Sequence, residues 1–353
     1  GTLEVANALS ENGDRSIVIS AGGRLVQGLV DNGSEHIALT VGKKTPLTLR
    51  HVKTLRDLFR SRDIDIVHAR SRLPAWIAWL ALRGMDQAMR PVFVTTVHGP
   101  YTVNAYSRIM CRGQRVIAIS EFIRGYILDN YPGTDPQRVQ VIHRGVDRDE
   151  FPYGYRPPAD WMKEWNRSHG TLAGKFVLTA PARITRWKGQ EDFIQIIQGL
   201  KQKGVPVHGL IAGGAHPRRK AFLQSLHEQV RQLDLDQDIT FLGHRDDLKN
   251  VMAVSDVVLS LAREPEAFGR TALEALSMGI PVIAYDHGGA AEVLERMFPA
   301  GRVRPLNTRE AIEHALDFYT ARPRVAESDA FTREEMLQQT LQLYRECADQ
   351  HAR

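Results

Sequence analysis

The chain has 353 residues, 43% of them apolar and 25% charged, which is the composition of a globular protein with room for two domains. Its net charge of +5 comes from residues 1–150, which hold 20 basic and 15 acidic residues, whereas the rest of the chain holds 26 of each. The sequence contains no basic stripe interleaved with aromatic residues, so it does not indicate nucleic-acid binding. The longest apolar run, residues 74–82, is far shorter than the roughly 20 residues that span a bilayer.

The first half alternates short β-branched runs with helical patterns, which is typical of a parallel sheet covered by helices. It opens on a helical pattern, and no secretory signal is visible. The clearest helix, 47–60, has Leu49, Val52, Leu55 and Phe59 on one face. The predicted strands are Ser16–Ser20, Ile64–His68, Val92–His98, Val116–Ser120 and Gln140–Ile142.

A stretch rich in proline and aromatics, Phe151 to Trp165, interrupts this alternation and is interpreted as a link between domains. The alternation then resumes and ends in one more helix, Thr332 to Ala348, with no strand after it. The predicted strands of the second half are Lys175–Ala180, Val207–Ala212, Ile239–Leu242, Val257–Leu261, Pro281–Tyr285 and Ala300–Val303. The predicted helices between them are Gln190–Lys203, Arg218–Leu233, Thr271–Met278 and Ala290–Met297.

This pattern predicts an α/β protein with two doubly wound parallel sheets that face each other across a cleft. The predicted domains are residues 1–155 and 166–330, and residues 331–353 form a final helix that can return to the first domain. Ligands bind such sheets at the carboxyl ends of the strands, so we expect the site there.

The sharpest candidate site follows the predicted strand at residues 257–261. A loop containing Glu266 leads into a helix that begins near Gly269, and the first-turn amides of such a helix bind anions. Glu274 lies within an apolar helix, where a carboxylate needs partners. The two glutamates are at most about 12 Å apart, so one can address a sugar and the other a ribose, with a diphosphate between them.

Other strand ends carry residues suited to the same ligand. Arg183 and Lys188 lie five residues apart on a loop, where two cations can hold a diphosphate and stabilise a leaving group. His98 ends a buried strand of the first half and faces the expected cleft; His68 also ends a strand and is a weaker acceptor-side candidate. In the second half, Gly213 and Gly214 allow a nucleotide to approach the backbone, and His244 and Arg245 are placed to frame its base.

Residues 266–274 match the Glu-x7-Glu motif of family-four retaining glycosyltransferases, and the following stretch, 275–292, resembles that family too. The resemblance implies the two-domain GT-B fold, a donor hexose at Glu266 and ribose hydroxyls at Glu274. It also implies that the amides of Phe268 and Gly269 meet the sugar or diphosphate, that Arg183 and Lys188 clamp the phosphate, and that His98 lies beside the anomeric carbon. The sequence of residues 264–270, which includes Arg270, looks most like that of bacterial enzymes that extend the lipopolysaccharide core.

The resemblance implies transfer of a hexose from a UDP- or GDP-linked sugar, with retained configuration and without a metal or other cofactor. The Asp63-Ile64-Asp65 triplet resembles a metal-binding motif of another glycosyltransferase fold, but it precedes its strand and is rejected. The basic first half suggests an enzyme that docks on a membrane, and the resemblance implies a glycolipid acceptor such as the lipopolysaccharide core. We expect it in the cytoplasm, bound peripherally to the anionic inner membrane; the two distant cysteines, Cys111 and Cys347, fit a reducing compartment.

Two alternatives stay open at this point. One is a sugar-nucleotide epimerase of the same fold, which releases free sugar without an acceptor. The other is a non-catalytic subunit that binds the nucleotide sugar. The second is worth stating because family members carry a first strand and a glycine-rich loop ahead of the point that matches Gly1, and these are expected to be missing from this sequence.

Overall fold

A computed structural model of the protein describes residues 1–351, the last two through their backbone alone. The chain forms two compact units: residues 1–143 together with the segment from Arg333 onward, and residues 144–332. In each unit the paired strands run parallel and alternate with helices, so the predicted α/β class with two parallel-sheet units is confirmed. None of the helices described is long and apolar enough to cross a membrane.

The strands of the first unit form two separate parallel sheets. The elements are α1 (Thr2–Glu11), β1 (Ile17–Ser20), α2 (Val26–Asp31), β2 (Glu35–Ala38), α3 (His51–Ser61), β3 (Ile66–Ala69), α4 (Arg72–Arg83), β4 (Val92–Val97), β5 (Arg115–Ala118), α5 (Glu121–Asn130), β6 (Val139–Val141) and the final helix α13 (Arg333–His351). Strands β3 to β6 pair in chain order, whereas β1 pairs with β2 alone. Helix α13 packs with α1 on the larger sheet, where Val94 and Leu343 are fully buried.

The second unit is one six-stranded parallel sheet. Its elements are α6 (Ala159–Ser168), β7 (Phe176–Pro181), α7 (Gln190–Gln202), β8 (Val207–Ala212), α8 (Lys220–Gln232), β9 (Ile239–Gly243), α9 (Leu248–Ala253), β10 (Val257–Ser260), α10 (Arg270–Ser277), β11 (Val282–Tyr285), α11 (Gly288–Met297), β12 (Arg302–Val303) and α12 (Thr308–Ala321). The strand order is β9-β8-β7-β10-β11-β12, which is the doubly wound order 3-2-1-4-5-6. The order reverses between β7 and β10, and ligands bind such sheets at that point.

Three features differ from the sequence predictions. Strand β2 was not predicted, because Glu35–Ala38 is short, polar and only half-buried. The segment interpreted as a link contains α6, whose Trp165 is 6% exposed and packs against the second sheet. Leu49, predicted to share one helix face with Leu55 and Phe59, is 58% exposed because Pro46–Arg50 forms a 3-10 turn and the α-helix begins only at His51.

The division between the units also lies earlier in the chain than residue 155. Residues 144–155 are held by the second unit through several hydrogen bonds. Tyr153 donates its hydroxyl to the carbonyl of Val325 at 2.7 Å, and the Ser277 hydroxyl donates to the carbonyl of Phe151 at 3.1 Å. This stretch is therefore part of the second unit rather than the end of the first.

Candidate functional site

The candidate site lies in the second unit, at the carboxyl ends of β7 and β10. The loops that follow these two strands, residues 182–189 and 261–269, are in direct contact. The amide of Arg263 donates to the carbonyl of Trp187 at 2.7 Å. A Cβ at Gly189 would lie 2.0 Å from the carbonyl oxygen of Leu261, so only glycine fits there. Gly189 also has φ +73°, which favours glycine.

An ion pair joins these two loops. The Lys188 ammonium donates to the Glu266 carboxylate, and their side chains are only 19% and 14% exposed. Ser260, the last residue of β10, donates its hydroxyl to the second oxygen of Glu266 at 3.3 Å. Two residues predicted for catalysis are therefore neighbours, although 78 positions separate them in the chain.

The loop that carries Glu266 rests on the start of α11. The amide of Gly289 donates to the Glu266 carbonyl at 2.8 Å, and the His287 Nε2 lies 2.7 Å from the carbonyl oxygen of Ala262. A Cβ at Gly288 would come within 2.6 Å of the Glu266 carbonyl oxygen, and one at Gly289 within 2.3 Å of the Cα of residue 268. The two glycines thus allow α11 to hold the loop, a role that sequence reasoning had not assigned to them.

A second support was not foreseen either. Asp192, in the first turn of α7, is 6% exposed and accepts a hydrogen bond of 2.8 Å from the Tyr285 hydroxyl. The Arg263 Nε lies 3.7 Å from the same carboxylate. Burial, together with the Asp192 charge, raises the pKa of Tyr285 well above its usual range, so its hydroxyl stays a donor. Asp192 thus joins Tyr285 of β11 to Arg263 of the loop after β10.

Helix α10 begins directly after this loop. Gly269 is its N-cap, with φ +82°, and a Cβ there would lie 2.7 Å from the Cα of Ala290. The glycine is thus required by close packing on α11, whereas the sequence suggested only room for a ligand. Phe268 is 3% exposed, with its ring packed edge-on to Phe331 at 5.7 Å, so its side chain belongs to the core. The α10 amides that follow Gly269 stay the predicted anion site.

Glu274, one turn inside α10, is 16% exposed and forms an ion pair with Arg270 at 3.0 Å. Burial raises the pKa of the Glu274 carboxyl, and the neighbouring Arg270 offsets this only in part. Arg270 itself is 72% exposed. A partly buried carboxylate whose charge is disfavoured by burial is suited to hydroxyl donors such as those of a ribose.

The cations on the loop after β7 have different surroundings. Arg183 is exposed, and its carbonyl accepts a hydrogen bond of 3.0 Å from the Gln190 side chain, which fixes the loop there. Arg186 pairs with Glu191 at 3.3 Å and lies over the Phe222 ring at 4.7 Å. Arg186 is therefore held away from the ion pair at Lys188.

The predicted base-binding residues follow β8 and β9. A Cβ at Gly213 would lie 1.9 Å from the Ala182 carbonyl oxygen, and the Gly214 carbonyl accepts from the Ile184 amide at 3.1 Å. These glycines therefore pack against the loop after β7 as well as leaving room for a ligand. His244 is 77% exposed and close to Asp246, whereas Arg245 donates to Asp247 and lies over the Trp165 ring at 6.0 Å. Of these two side chains, His244 is the more exposed.

The first unit holds the two predicted histidines. His98 directly follows β4 and is half-buried, with its amide 3.4 Å from the Tyr101 hydroxyl. His68, in β3, contacts the Tyr344 hydroxyl through Nδ1 and the Thr96 hydroxyl through Nε2 at 2.7 Å. His68 therefore links α13 to the sheet, a structural role that its position at a strand end did not indicate. The catalytic role of His98 stays a prediction.

The Asp63-Ile64-Asp65 triplet precedes β3, as expected from the sequence. Among the side chains that the structure describes, those of residues 1–349, no group of three from His, Cys, Asp or Glu is placed so that it could hold a metal ion.

Comparison with known proteins gives matches along nearly the whole chain. The family model described as Glycosyltransferase Family 4 matches residues 1–150, and that of Glycosyl transferases group 1 matches residues 162–330. The lipopolysaccharide core biosynthesis mannosyltransferase LpsB of Rhizobium meliloti is 26% identical over 82% of this chain and 80% of its own length. Spore coat protein SA of Bacillus subtilis is 24% identical over 68% of this chain. The match covers 64% of the length of that relative, which is less than two thirds.

Solved structures agree in fold. A glycosyltransferase from Rickettsia africae superposes with a TM-score of 0.83 at 28% identity, covering 98% of this chain and 93% of the other. Anabaena HepE in complex with UDP and glucose gives a TM-score of 0.78 at 21% identity, covering 98% and 95%.

Proposed function

Since the chain belongs to the family-four, group 1 glycosyltransferases, we propose that it transfers a hexose from a UDP- or GDP-linked sugar to a glycolipid acceptor. The observation that carries the proposal is the ion pair between Lys188 and Glu266 at the point where the strand order reverses. One partner is a cation suited to a diphosphate, and the other is a carboxylate suited to sugar hydroxyls. Gly269, the N-cap of α10, lies three residues after Glu266.

The proposed chemistry breaks the bond between the sugar C1 and the diphosphate oxygen. Positive charge then develops on the sugar ring and negative charge on the leaving diphosphate. Lys188, Arg183 and the first amides of α10 stabilise the diphosphate, while Glu266 holds the hexose and Glu274 the ribose. Such stabilisation in a partly enclosed site contributes strongly to rate, with a loss of roughly 10²–10³ for one comparable group.

We also propose that the acceptor oxygen attacks from the face that the diphosphate leaves, so that the configuration at C1 is retained. In this scheme the leaving diphosphate takes the acceptor proton, and no protein nucleophile or metal is needed. Family membership supports this part of the proposal. Proton NMR of the first product formed tests it, because an inverted anomeric signal contradicts it.

The lipopolysaccharide core is the acceptor class we favour, and the likeness to LpsB supports it. A patch in the first unit provides a surface for a lipid-borne acceptor. Leu47 and Leu49 are 71% and 58% exposed, although apolar, and they lie among exposed cations. This basic-leucine patch consists of Lys43, Lys44, Leu47, Leu49 and Arg50. Apolar side chains that enter a headgroup layer beside cations bind anionic membranes.

Arg56, in α3, lies outside the patch. Its guanidinium donates to the carbonyl of Ala81 at 3.3 Å and fills the space beside Gly84.

Donor binding is tested first by thermal-shift measurements with a panel of UDP- and GDP-sugars. A donor that raises the melting temperature of the wild type should have little effect on Arg183→Ala or Glu274→Ala, and a full effect on Arg186→Ala. Equal shifts in all four proteins contradict the site. The best donor is then incubated with truncated lipopolysaccharide. Sugar released without acceptor indicates an epimerase, and binding without turnover indicates a non-catalytic subunit.

Membrane binding is tested separately by vesicle sedimentation at low salt with and without anionic lipid. We expect the wild type to bind only the anionic vesicles and Leu47→Ser/Leu49→Ser to lose most of that binding. Leu25→Ser, which changes another leucine at 59% exposure, is the matched control. Equal binding by all three proteins contradicts docking through the patch.

A further inference from the structure

One cation of the first unit has no part in the proposed donor site. Arg72 is the first residue of α4 and follows β3, so it lies at the carboxyl edge of the larger sheet. A cation in the first turn of a helix is opposed by the helix dipole, so the charge of Arg72 does not stabilise α4. No carboxylate among the residues that the structure describes forms an ion pair with it. The charge of Arg72 therefore needs another explanation.

The Arg72 guanidinium is held in place by three neighbours. It donates to the hydroxyl of Ser107 at 3.1 Å, and Ser107 is fully buried. Its Cζ lies 5.0 Å from the centroid of the Tyr101 ring and 5.3 Å from that of the Tyr106 ring. In the part of the chain that the structure describes, Ser107 is the one hydrogen-bond partner of its five N–H donors. A half-buried guanidinium with unused donors is suited to a carboxylate or phosphate, which accepts two parallel hydrogen bonds from it.

The loop that carries the two tyrosines is anchored at both ends. The Tyr126 hydroxyl donates to the carbonyl of Tyr101, and the Trp76 indole N–H donates to the carbonyl of Tyr106 at 2.9 Å. These bonds keep both rings beside Arg72 before a ligand binds. Binding to a group that is already in position costs less conformational entropy than binding to mobile side chains.

The arginine–tyrosine cluster, which consists of Arg72, Tyr101, Tyr106 and Ser107, lies beside His98. The amide of His98 is 3.4 Å from the Tyr101 hydroxyl. His98 and Arg72 follow β4 and β3, and these two strands pair directly. The cluster is therefore at the same edge of the sheet as the residue predicted to lie beside the anomeric carbon.

We propose that the arginine–tyrosine cluster binds a carboxylate or phosphate group of the acceptor, so that the preferred acceptor is an anionic sugar rather than a neutral one. This inference rests on the proposed function, because only a transferase has an acceptor. Arg72 holds the anion through its N–H donors, and the two rings shield the guanidinium from water, which strengthens those hydrogen bonds. Arg72 is thus a specificity residue, which selects acceptors by their charge and takes no part in bond breaking.

NMR of the arginine side chains tests anion binding in the 353-residue chain without any transfer reaction. The wild type is titrated with glucuronate, glucose 6-phosphate and glucose at matched ionic strength. We expect the Arg72 Nε–H signal to shift saturably with at least one of the two anionic sugars and not with glucose. A shift with glucuronate alone indicates a carboxylate site, and one with glucose 6-phosphate alone a phosphate site. No shift with either anion, or an equal shift with glucose, would overturn the proposal.

Arg83→Gln is the matched control for Arg72→Gln. Arg83 belongs to the same helix and also lies over an aromatic ring, that of Trp79 at 4.9 Å. The indole N–H signal of Trp76, which is bonded to the anchored loop, reports binding in the variants. It should shift with the anionic sugar in the wild type and in Arg83→Gln, but not in Arg72→Gln. An equal shift in Arg72→Gln would show that the anion binds elsewhere.

The transfer assay then separates this inference from the proposed function. Truncated lipopolysaccharide is used untreated, after dephosphorylation and after reduction of its carboxyl groups. Arg72→Gln should raise the KM for the untreated acceptor by roughly tenfold or more, the loss of a charged hydrogen bond, with little change in kcat. It should match the wild type on the acceptor that lacks the recognised anion. Arg72→Lys should recover part of the loss, because it keeps the charge without the paired donors.

The two proposals fail in different ways. The same increase in KM for treated and untreated acceptors would overturn anion recognition by Arg72 and leave the transferase intact. If no acceptor is glycosylated, the proposed function fails, whereas the NMR titration still decides whether the cluster binds an anionic sugar.

Discussion

Lys188 and Glu266 form an ion pair between the loops after β7 and β10, and each side chain is less than one fifth exposed. The cation proposed for the diphosphate is therefore held by the carboxylate proposed for the sugar. A bound donor has to share or replace this contact. The arrangement keeps both groups in place before the donor arrives, because neither charge is left unpaired in a partly buried position.

This pairing predicts that Glu266→Gln changes the affinity for a free nucleotide and the affinity for its sugar derivative differently. Removing the carboxylate releases Lys188, so we expect the affinity for free UDP or GDP to stay the same or rise. The preference for the nucleotide sugar over the free nucleotide should fall, since a sugar contact is lost. Turnover should drop roughly 10²–10³-fold, as for other groups that stabilise a transition state. Isothermal titration with nucleotide and with its sugar derivative, together with a transfer assay, measures all three quantities.

Ser260→Ala is the matched control, because it removes a neighbour of Glu266 and leaves both charges. It should change nucleotide affinity little. Equal weakening of nucleotide and nucleotide sugar by Glu266→Gln would place the carboxylate outside the sugar site.

Arg183 and Arg186 provide a comparison within one loop. Arg183→Ala should weaken nucleotide diphosphate binding by about 10- to 100-fold, the loss of one charged hydrogen bond of 1.5–3 kcal/mol. Arg186→Ala should have less than a threefold effect, because that guanidinium is held by Glu191 and Phe222. Binding of UDP and of uridine separates the phosphate contribution: the Arg183 effect should vanish with uridine. An effect of the same size on uridine would show that Arg183 acts through the loop structure.

Much of the candidate site could be predicted from local sequence. The pattern of β-branched runs located β7 and β10, and the segment from Glu266 to Glu274 indicated a loop followed by the start of a helix. In a doubly wound sheet, loops after the first and fourth strands meet at the point where the order reverses. That rule suffices to bring Lys188 near Glu266 without any knowledge of side-chain packing.

The remaining features depend on contacts between distant segments. The support of the Glu266 loop by Gly288 and Gly289 is visible only once α11 is placed against it. Strand β2 is short and polar, so its periodicity is too weak to predict, and it is defined by pairing with β1. His68 ended a predicted strand as a candidate ligand, yet Tyr344, 276 positions later, holds it. Local sequence could identify neither β1 as the partner of β2 nor Tyr344 as the partner of His68.

Glu274→Gln should weaken nucleotide binding while it increases stability near neutral pH. Burial raises the pKa of this carboxyl, so its protonated form is the one that the fold favours. The stability that comes from the raised pKa is fully present below the usual pKa of glutamate and is lost as pH rises through the raised value. The variant should therefore unfold at higher urea concentration than the wild type at pH 7, with a smaller difference at pH 4. A variant that is less stable at pH 7 would show that the ion pair with Arg270 outweighs burial.

His208 predicts a second, opposite dependence on pH. This residue of β8 is 4% exposed, and burial, reinforced by the nearby Lys175 charge, lowers its pKa from 6.5 to about 4. The unfolded chain binds a proton at His208 more tightly than the folded chain does. The stabilisation linked to the lowered pKa is therefore present above pH 6.5 and is lost as pH falls toward 4. The shift corresponds to at most about 3 kcal/mol.

Urea unfolding at pH 7 and pH 4.5 should show a fall of about 2–3 kcal/mol in the wild type beyond that in His208→Asn, which cannot titrate. His244→Asn, in a side chain that is 77% exposed, should keep the wild-type difference. Identical pH dependence in wild type and His208→Asn would show that His208 is not the group responsible.

Gly189 and Gly204 allow the contact between the two site loops to be isolated from backbone strain. Both have positive φ, of +73° and +79°, so alanine costs about 1–2 kcal/mol at either position for the left-handed conformation alone. At Gly204 a Cβ has no atom within 4 Å, whereas at Gly189 it would overlap the Leu261 carbonyl oxygen.

Gly189→Ala should therefore lose a further 1–3 kcal/mol or so of unfolding free energy, as for other overpacked sites. It should also weaken nucleotide binding, because the overlap is relieved only if the loop that carries Lys188 moves away from the one that carries Glu266. Gly204→Ala should bind nucleotide like the wild type, and equal losses in both variants would mean that the two loops do not need this close approach.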